Sequence, residues 1–414
     1  MAVEEIYRYI GFGEESVFGT LVPAVFHIDP ASGTLDSPAE NELVYEGGLG
    51  RGLKTHRPGP YVPQGNLEFA WDINIIALLM RLVLGNADTT DDTTPVTDEA
   101  HPTGAGETSL EFTLGNDPVI PGTFLFNNAT PTQVAHDNGL GKIVEDGASG
   151  VSGTIDYATG AVVLTGLVES MAYTADYSYG VYTHIILPRK TIENPSASIR
   201  VGKDLYEHAF AGSVLSQLVL TTEREFARAS MDVLAKKDSK ETLVAESNLL
   251  LSQESKKRPL VFHELVFKLD TVQAKAESVV LTINNNGDAE GGVRLGSRFP
   301  QNIYSGNLDI GLTFNLKFEG TAEKEDFWGG ATGPGECQSP VEMAASMEFI
   351  CCANTDMKMV IDIPRFYFSA VPHEISGRDR IVQAITGQVL YNETLGNWMK
   401  ATIANLYNWG WTAD

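Results

Sequence analysis

The chain has 414 residues, 43% of them hydrophobic and 20% charged, with a formal net charge of −25. That length accommodates two or three domains with full cores, and the composition is that of a globular chain, not a disordered one. The acidic balance excludes the basic footprint of a protein that grips nucleic acid by neutralising phosphates.

In chain order, the opening Met1-Ala2-Val3-Glu4-Glu5 is acidic where a secretory leader is basic, so export by a Sec signal is not expected. Residues 1–85 read as strands and turns closed by one helix. Leu67, Phe69, Trp71 and Ile73 alternate with Asn66, Glu68, Ala70 and Asp72, which predicts a half-buried strand with an acidic outer face. The run Ile75 to Leu84 loses that alternation and reads as a buried helix with Gly85 as its C-cap. Ile73 to Leu84 is the most apolar run; it contains Arg81 and falls short of the ~20 residues that span a bilayer, so no membrane anchor is expected.

Residues 86–108, beginning Asn86-Ala87-Asp88-Thr89-Thr90-Asp91-Asp92, have the composition of a linker. A glycine-rich β block follows over 109–180, with a strand–turn–strand at Gly153 to Leu164 and alternating tyrosines from Tyr173 to Tyr179. A flexible junction is expected around Lys236 to Lys257. Beyond it, Leu308, Ile310, Leu312, Phe314, Leu316 and Phe318 line one face of a long amphipathic strand. Three cysteines, Cys337 and the neighbours Cys351 and Cys352, suit a reducing compartment and small-filler roles better than a disulfide framework or a zinc half-site.

Five short matches recur in one order. Glu46-Gly47-Gly48 answers Glu290-Gly291-Gly292, and Gly65-Asn66-Leu67-Glu68-Phe69 answers Gly306-Asn307-Leu308-Asp309-Ile310. Ile185 to Arg189 answers Ile361 to Arg365, Gly212 to Leu215 answers Gly387 to Leu390, and Phe226 to Met231 answers Trp398 to Ile403. The pattern predicts a mainly β chain: two tandem related β-sandwich or barrel domains, each with a short helix, plus an inserted small β domain. The boundaries read as 1–104 and 181–240 for the first domain, 105–180 for the insert, and 241–414 for the second.

Catalytic and cofactor signals are weak. Gly48-Leu49-Gly50-Arg51-Gly52 is followed by Pro58 and Pro60, which cannot open a phosphate-binding helix. His263-Glu264 begins a zincin-like string, but Phe267 stands where the second histidine belongs. Asn284-Asn285-Asn286-Gly287-Asp288 reads as a turn rather than a calcium loop. Neither an enzyme nor a cofactor is expected.

The opening Gly11-Phe12-Gly13-Glu14-Glu15-Ser16-Val17-Phe18-Gly19-Thr20 resembles the start of tail tube proteins of long-tailed, siphovirus-like bacteriophages. The Gly-Asn-Leu strand before an apolar helix, the Ile-Pro-Arg strand and Phe226 to Met231 are similar to that family too. The resemblance covers most of 5–240 and 270–410 but not the insert. It implies a virion protein, assembled in the host cytoplasm, whose tube domains build a continuous inner β-barrel. A duplicated chain would then close a ring of tube domains with three copies, and rings would stack into a tube.

Implied partners are further copies of the chain, a tape-measure protein, and tail-terminator and tail-tip proteins; genomic DNA would pass through without specific binding. On this view Glu68, Asp72 and Asp309 would make the lumen wall negative. The loops Gly11–Thr20 and Gly47–Pro60 would join ring to ring, through Gly11, Phe18, Arg51 and His56. The insert would decorate the outside, with Tyr157, Tyr173 or Tyr177 packing a sheet or meeting a glycan. The rival readings are a receptor-binding or adhesin protein, which would form a compact closed oligomer, and a head-decoration protein.

Overall fold

The computed structural model describes residues 8–38, 42–45, 55–128, 132–245, 249, 259–373 and 381–412. The fold is mainly β, with two α-helices among the described residues. The first stretch runs β1 (Arg8–Glu14), β2 (Phe26–Ile28), β3 (Ser32–Gly33), β4 (Glu42–Tyr45), β5 (Thr55–Pro58), β6 (Gln64–Ala70) and α1 (Ile73–Leu84). Next come β7 (Gly85–Ala100), β8 (Ser109–Thr113), β9 (Leu125–Asn128), β10 (Gln133–Asp137), β11 (Lys142–Glu145), β12 (Ser152–Asp156), β13 (Ala161–Thr165) and β14 (Tyr173–Pro188). The chain then forms β15 (Ala197–Lys203), β16 (Tyr206–Thr222), β17 (Arg228–Leu234) and β18 (Lys237–Glu241). The last stretch is β19 (Leu265–Leu269), β20 (Val272–Gln273), β21 (Ala276–Asn284), β22 (Asp309–Lys317), α2 (Ala322–Trp328), β23 (Glu342–Ile350), β24 (Lys358–Ala370), β25 (Val382–Val389) and β26 (Lys400–Asn405).

One set of antiparallel pairings occurs in both halves. In the first, β1 pairs β2 and β15, β15 pairs β16, β16 pairs β17 and β18, and β6 pairs β17 and β3. In the second, β19 pairs β20 and β23, β23 pairs β24, β24 pairs β25 and β26, and β22 pairs β25 and β21. The matching helices follow β6 and β22. This correspondence differs from the one read off the sequence, which set Ile185–Arg189 on β14 against β24, Gly212 on β16 against β25, and Phe226–Met231 on β17 against β26. By pairing, β16 answers β24 and β17 answers β25. Short apolar strings recur on any strand of a sandwich, whereas hydrogen-bond partners distinguish one strand from another.

Both long strands change sheets partway. The first half of β16 pairs β15 and β18, and its second half pairs β17 and β21, with a register shift around Gly212. Gly212 sits at φ 66°, a left-handed conformation that glycine adopts without strain. Strand β24 likewise pairs β26 first and β25 later, shifting register around Pro364. Sandwich corners are made this way, by strands that bend from one layer into the other. The bend in β16 is fastened by a buried carboxylate: Glu15 accepts from the Gly212 N–H at 2.9 Å, the Gly19 N–H at 2.8 Å, Ser196 Oγ at 2.9 Å and Ser198 Oγ at 2.8 Å.

Helix α1 is buried on nearly every side, as its uninterrupted apolar sequence requires. Its N-cap is Asp72, which accepts from the backbone N–H groups of Asn74 and Ile75, and its C-cap is Gly85 at φ 95°. The second half clamps both ends: Asn405 Nδ2 donates to the carbonyls of Ile73 and Asn74, and Asn285 Nδ2 donates to that of Val83.

The segment 86–108, expected as a linker, contains the sixteen-residue strand β7, which runs antiparallel to β14 from Gly85↔Pro188 to Ala100↔Thr174. Its threonines are polar yet β-branched, so they favour extended backbone while reading as loop by composition. Strand β14 in turn pairs β26, which seats the stem of the 109–180 block on the outer sheet of the second half. Part of the expected flexible junction is also ordered, because 237–241 forms β18; residues 246–248 and 250–258 lie outside the described residues.

Two stability predictions follow from the burial of Glu15 and His27. Replacing Glu15 by Ala strands several buried donors and lowers unfolding free energy by about 2–4 kcal/mol in denaturant titration; an unchanged midpoint would contradict the fastening role. His27 is 3% exposed, and burial, opposed by Glu207, pushes its imidazole down from 6.5 to about 4. The unfolded chain takes up a proton that the fold excludes. Stability is therefore whole above pH 6.5 and falls as pH drops from 6.5 to about 4, by about 1.4 kcal/mol per pH unit in that window. His27→Gln should flatten that slope, as read from melts between pH 7 and 4.5 (about two units of the range).

Candidate functional site

The inner strands form one continuous sheet across both halves, in the order β6, β17, β16, β21, β22, β25 and β24. Strand β21 joins the halves, pairing β16 from Gln217↔Asn284 to Thr222↔Val279. One face of this sheet is core: Leu67, Phe69, Met231, Leu218, Leu281, Leu312, Phe314 and Ile385 are all buried. Strict alternation places the polar side chains on the opposite face.

These polar residues stand in rows across the strands. Asn66, Asp232, Gln217, Asn284 and Asp309 form one row, and Glu68, Ser230, Val219, Thr282, Gly311, Gln388 and Tyr367 form the next. A third runs Ala70, Arg228, Thr221, Val280, Thr313 and Thr386. Hydroxyls and amides dominate. They bond to one another: Asn66 Nδ2 donates to Ser230 Oγ and Asp232 Oδ1, both at 2.8 Å, and Asn315 Nδ2 donates to Ser278 Oγ at 2.8 Å.

The charged residues in these rows are Glu68, Asp232 and Asp309 with Arg228, and Lys317 further along β22 pairs with Glu319 at 3.3 Å. Arg228 lies 3.3 Å from Glu68 and 3.2 Å from Glu225, and its bond to Glu68 holds the guanidinium above its ordinary pKa. Ser32 Oγ donates to the other Glu68 oxygen at 3.1 Å. Asp309 is exposed and accepts from Asn286 Nδ2 at 3.0 Å.

Of the three expected lumen acids, Glu68 and Asp309 share this face and Asp72 does not. The strand ends at Ala70, the chain turns, and Asp72 is buried as the helix cap (5% exposed). Alternation alone missed this. An Asp immediately before an apolar helical run was the available signal. The face also carries Asp232 and Arg228, which the sequence reading did not single out because it read Phe226 to Met231 as a match to Trp398 to Ile403.

The expected ring contacts are scattered. Gly11 is inside β1, opposite Arg200 and His27, and an added Cβ there would meet Ala24 Cβ and His27 Cδ2 at 2.9 Å. Its role is close sheet packing instead of a loop contact. Phe18 packs beside Val214, Ala289 and Ile303, with Lys236 Nζ 5.0 Å over its ring. Arg51 lies outside the described residues. His56 is exposed on β5, opposite Val44 of β4.

The tyrosines of the 109–180 block face inward. Tyr157, Tyr173 and Tyr177 are each no more than 3% exposed. Tyr157 donates to Asp137 at 2.7 Å and Tyr177 to Glu99 at 2.6 Å, so none of the three is a glycan platform. Among the described residues no group of three or more His, Cys, Asp or Glu is placed to hold a metal ion, and no helix is long and apolar enough to cross a membrane.

A protein-family model described as phage tail tube protein matches residues 8–389. The chain belongs to that family, and its role is structural, as a component of the phage tail. Among curated proteins nothing matches it.

The two acids should respond differently to substitution. Asp72→Ala should cost about 1–2 kcal/mol of stability through the lost cap, while Asp309→Asn should stay within about 0.5 kcal/mol. Equal effects in chemical denaturation would contradict the separation of cap from open face.

Proposed function

We propose that the chain polymerises into stacked rings of three copies, forming the hollow tail tube through which DNA passes, with the open polar face of the inner sheet lining the channel. The observation that carries this reading is the continuous sheet spanning both halves: one face core, the other polar and free of a protein layer among the described residues. A tube wall needs that kind of sheet, because barrel closure leaves one face to the core and the other to the channel.

The two sets of matching pairings then represent duplicated tube domains, built from 8–84 with 189–241 and from 259–405. The inserted segment is 85–188, longer than the 105–180 expected from sequence, because its stem strands belong with it. The insert pairs with β26, away from the polar face, and on this reading it decorates the tube exterior.

The wall works on DNA through what it withholds. Phosphates bind where cations line up to displace counterions. Here Arg228 is occupied by Glu68 and Glu225, and the rows beside it hold hydroxyls, amides and carboxylates but no further cation. A duplex meeting such a wall finds no cationic row to hold it. Of the acids expected to make the wall negative, Glu68 and Asp309 stand on this face, joined by Asp232, while Asp72 caps the helix. A tape-measure protein would set tube length, terminator and tip proteins would bound it, and assembly would take place in the host cytoplasm.

Electron microscopy of the purified protein at high concentration tests the reading. Hollow tubes with an axial repeat and three-fold rings are expected. Discrete closed particles that never stack would overturn it in favour of an adhesin or decoration protein.

A further inference from the structure

We propose that residues 406–412 form an acid-released strap: closed over His184, they tie α1, β1, β2 and the β7–β14 ribbon to β26, and protonation of His184 in mildly acidic solution lets them lift while the sheets stay folded. The strap stands whether or not the chain forms tubes.

The segment follows β26 as irregular chain, and it is held by contacts with other elements, not by a strand ladder. Leu406 N–H donates to Asn74 Oδ1 at the start of α1, at 3.4 Å. The Tyr407 ring stands edge-on to Phe26 of β2, with centroids 6.0 Å apart. The Trp411 carbonyl accepts from the Thr89 N–H of β7 at 3.0 Å, and Trp411 Nε1 donates to Glu14 of β1 at 3.0 Å. A segment with so few backbone bonds opens more readily than the strands it covers.

His184 lies beneath it. The residue is on β14, opposite Thr89 of β7 on one side and Ile403 of β26 on the other, and it is 0% exposed. The Trp411 ring stands 5.2 Å from the imidazole. The tautomer follows from the bonding partners. Asn405 turns its Nδ2 to the carbonyls of Ile73 and Asn74, so its Oδ1 is what faces His184 Nε2, at 3.1 Å. The Tyr407 carbonyl lies at the same distance from Nε2. Two acceptors there require the proton on Nε2. Nδ1 is then the bare nitrogen, and it accepts from the Thr89 hydroxyl at 2.9 Å. The neutral ring is satisfied on both sides, by the strap and by the strands to which the strap is fastened.

A second proton must go to Nδ1, against the hydroxyl hydrogen, and no carboxylate is bonded to the ring to receive the charge. On β7, Asp88 is exposed, Asp91 accepts from Thr93 and Asp92 accepts from Thr183. Glu14 is engaged by Trp411, and Asp72 caps α1. Lys400 on β26 and Arg81 on α1 are like charges, and Tyr182 and Tyr407 bring phenols. Burial, opposed by the bonds to Asn405 and Tyr407, holds the imidazole below its ordinary 6.5. With the strap lifted, the ring meets water and regains its ordinary value. Protonation therefore favours the open form: closure is whole above pH 6.5 and weakens as pH falls below it. The opening equilibrium rises by up to about tenfold per pH unit in that range.

The test is amide hydrogen exchange on the full chain, read by mass spectrometry at about pH 7 and about pH 5.5 and normalised to the unstructured rate at each pH. The Thr89 N–H, bonded to the strap, is the reporter. Peptides covering Thr89 and residues 403–411 should lose about tenfold in protection at the lower pH, while a peptide from β22 keeps its own. His184→Gln donates where Nε2–H does and takes up no proton, so its strap should stay closed at both pH values. Trp411→Ala should leave the strap open at both. Unchanged protection at Thr89 in the unsubstituted protein, an equal loss in the His184→Gln protein, or a parallel loss in β22 would each overturn the strap. If His184→Gln fails to fold, the comparison of Thr89 with β22 in the unsubstituted chain decides by itself.

Discussion

The structure depends on the bend in β16. Because the strand turns at Gly212, its first half closes the outer sheet with β15 and β18 while its second half lies in the inner sheet between β17 and β21. One strand thereby connects the two layers of the first half and the first half to the second. The bend is held by the Glu15 carboxylate, whose four donors come from three separated segments. A buried carboxylate is costly unless its lone pairs are satisfied. Here they are, and the satisfied geometry is the bend itself.

From that bend follows the division of chemistry between the faces. The inner sheet buries its aromatic and aliphatic residues against the outer layer and presents hydroxyls and amides on the other side. Hydroxyls and amides satisfy one another across strands, as Asn66 does with Ser230 and Asp232, so the open face needs little formal charge to remain wetted. The acidity of the whole chain is thus not a guide to this surface. Net charge describes solubility and long-range repulsion, whereas the local surface is set by the residues that alternate outward.

Much of the fold class was legible because alternation is a local signal. Leu67, Phe69, Leu312 and Phe314 are buried as their spacing requires, and α1 with its Gly85 cap stands where an uninterrupted apolar run ends in glycine. What failed was non-local. Strand β7 looked like linker because its threonines are polar, and only the partner strand β14 explains why it is extended. Asp72 looked like the next outward residue because alternation carries no information on where a strand stops. The correspondence between halves was misassigned for the same reason: the runs Ile185–Arg189 and Ile361–Arg365 both end in Pro-Arg, but the hydrogen-bond partners of β14 and β24 differ. Partner identity is a property of the folded sheet, and the polar face, being a product of seven strands from both halves, could not be assembled from any one of them.

The two sets of matching pairings differ at one edge, and the difference bears on where β14 sits. Strand β26 would end the outer sheet of the second half, but β14 pairs along it from Tyr182↔Asn405 to Ile186↔Ala401. Its counterpart β18 has no such cover among the described strands, and its sequence Lys237-Asp238-Ser239-Lys240-Glu241 is charged at four of five positions. Charge on an edge strand opposes unwanted pairing. The apolar β26, with Ala401, Ile403 and Ala404 buried, lacks that protection and receives a strand instead. The segment between α1 and β15 thus does more than add a peripheral block: β14 covers the apolar edge of β26, and joins the two parts of the chain through the outer layer as β21 joins them through the inner one.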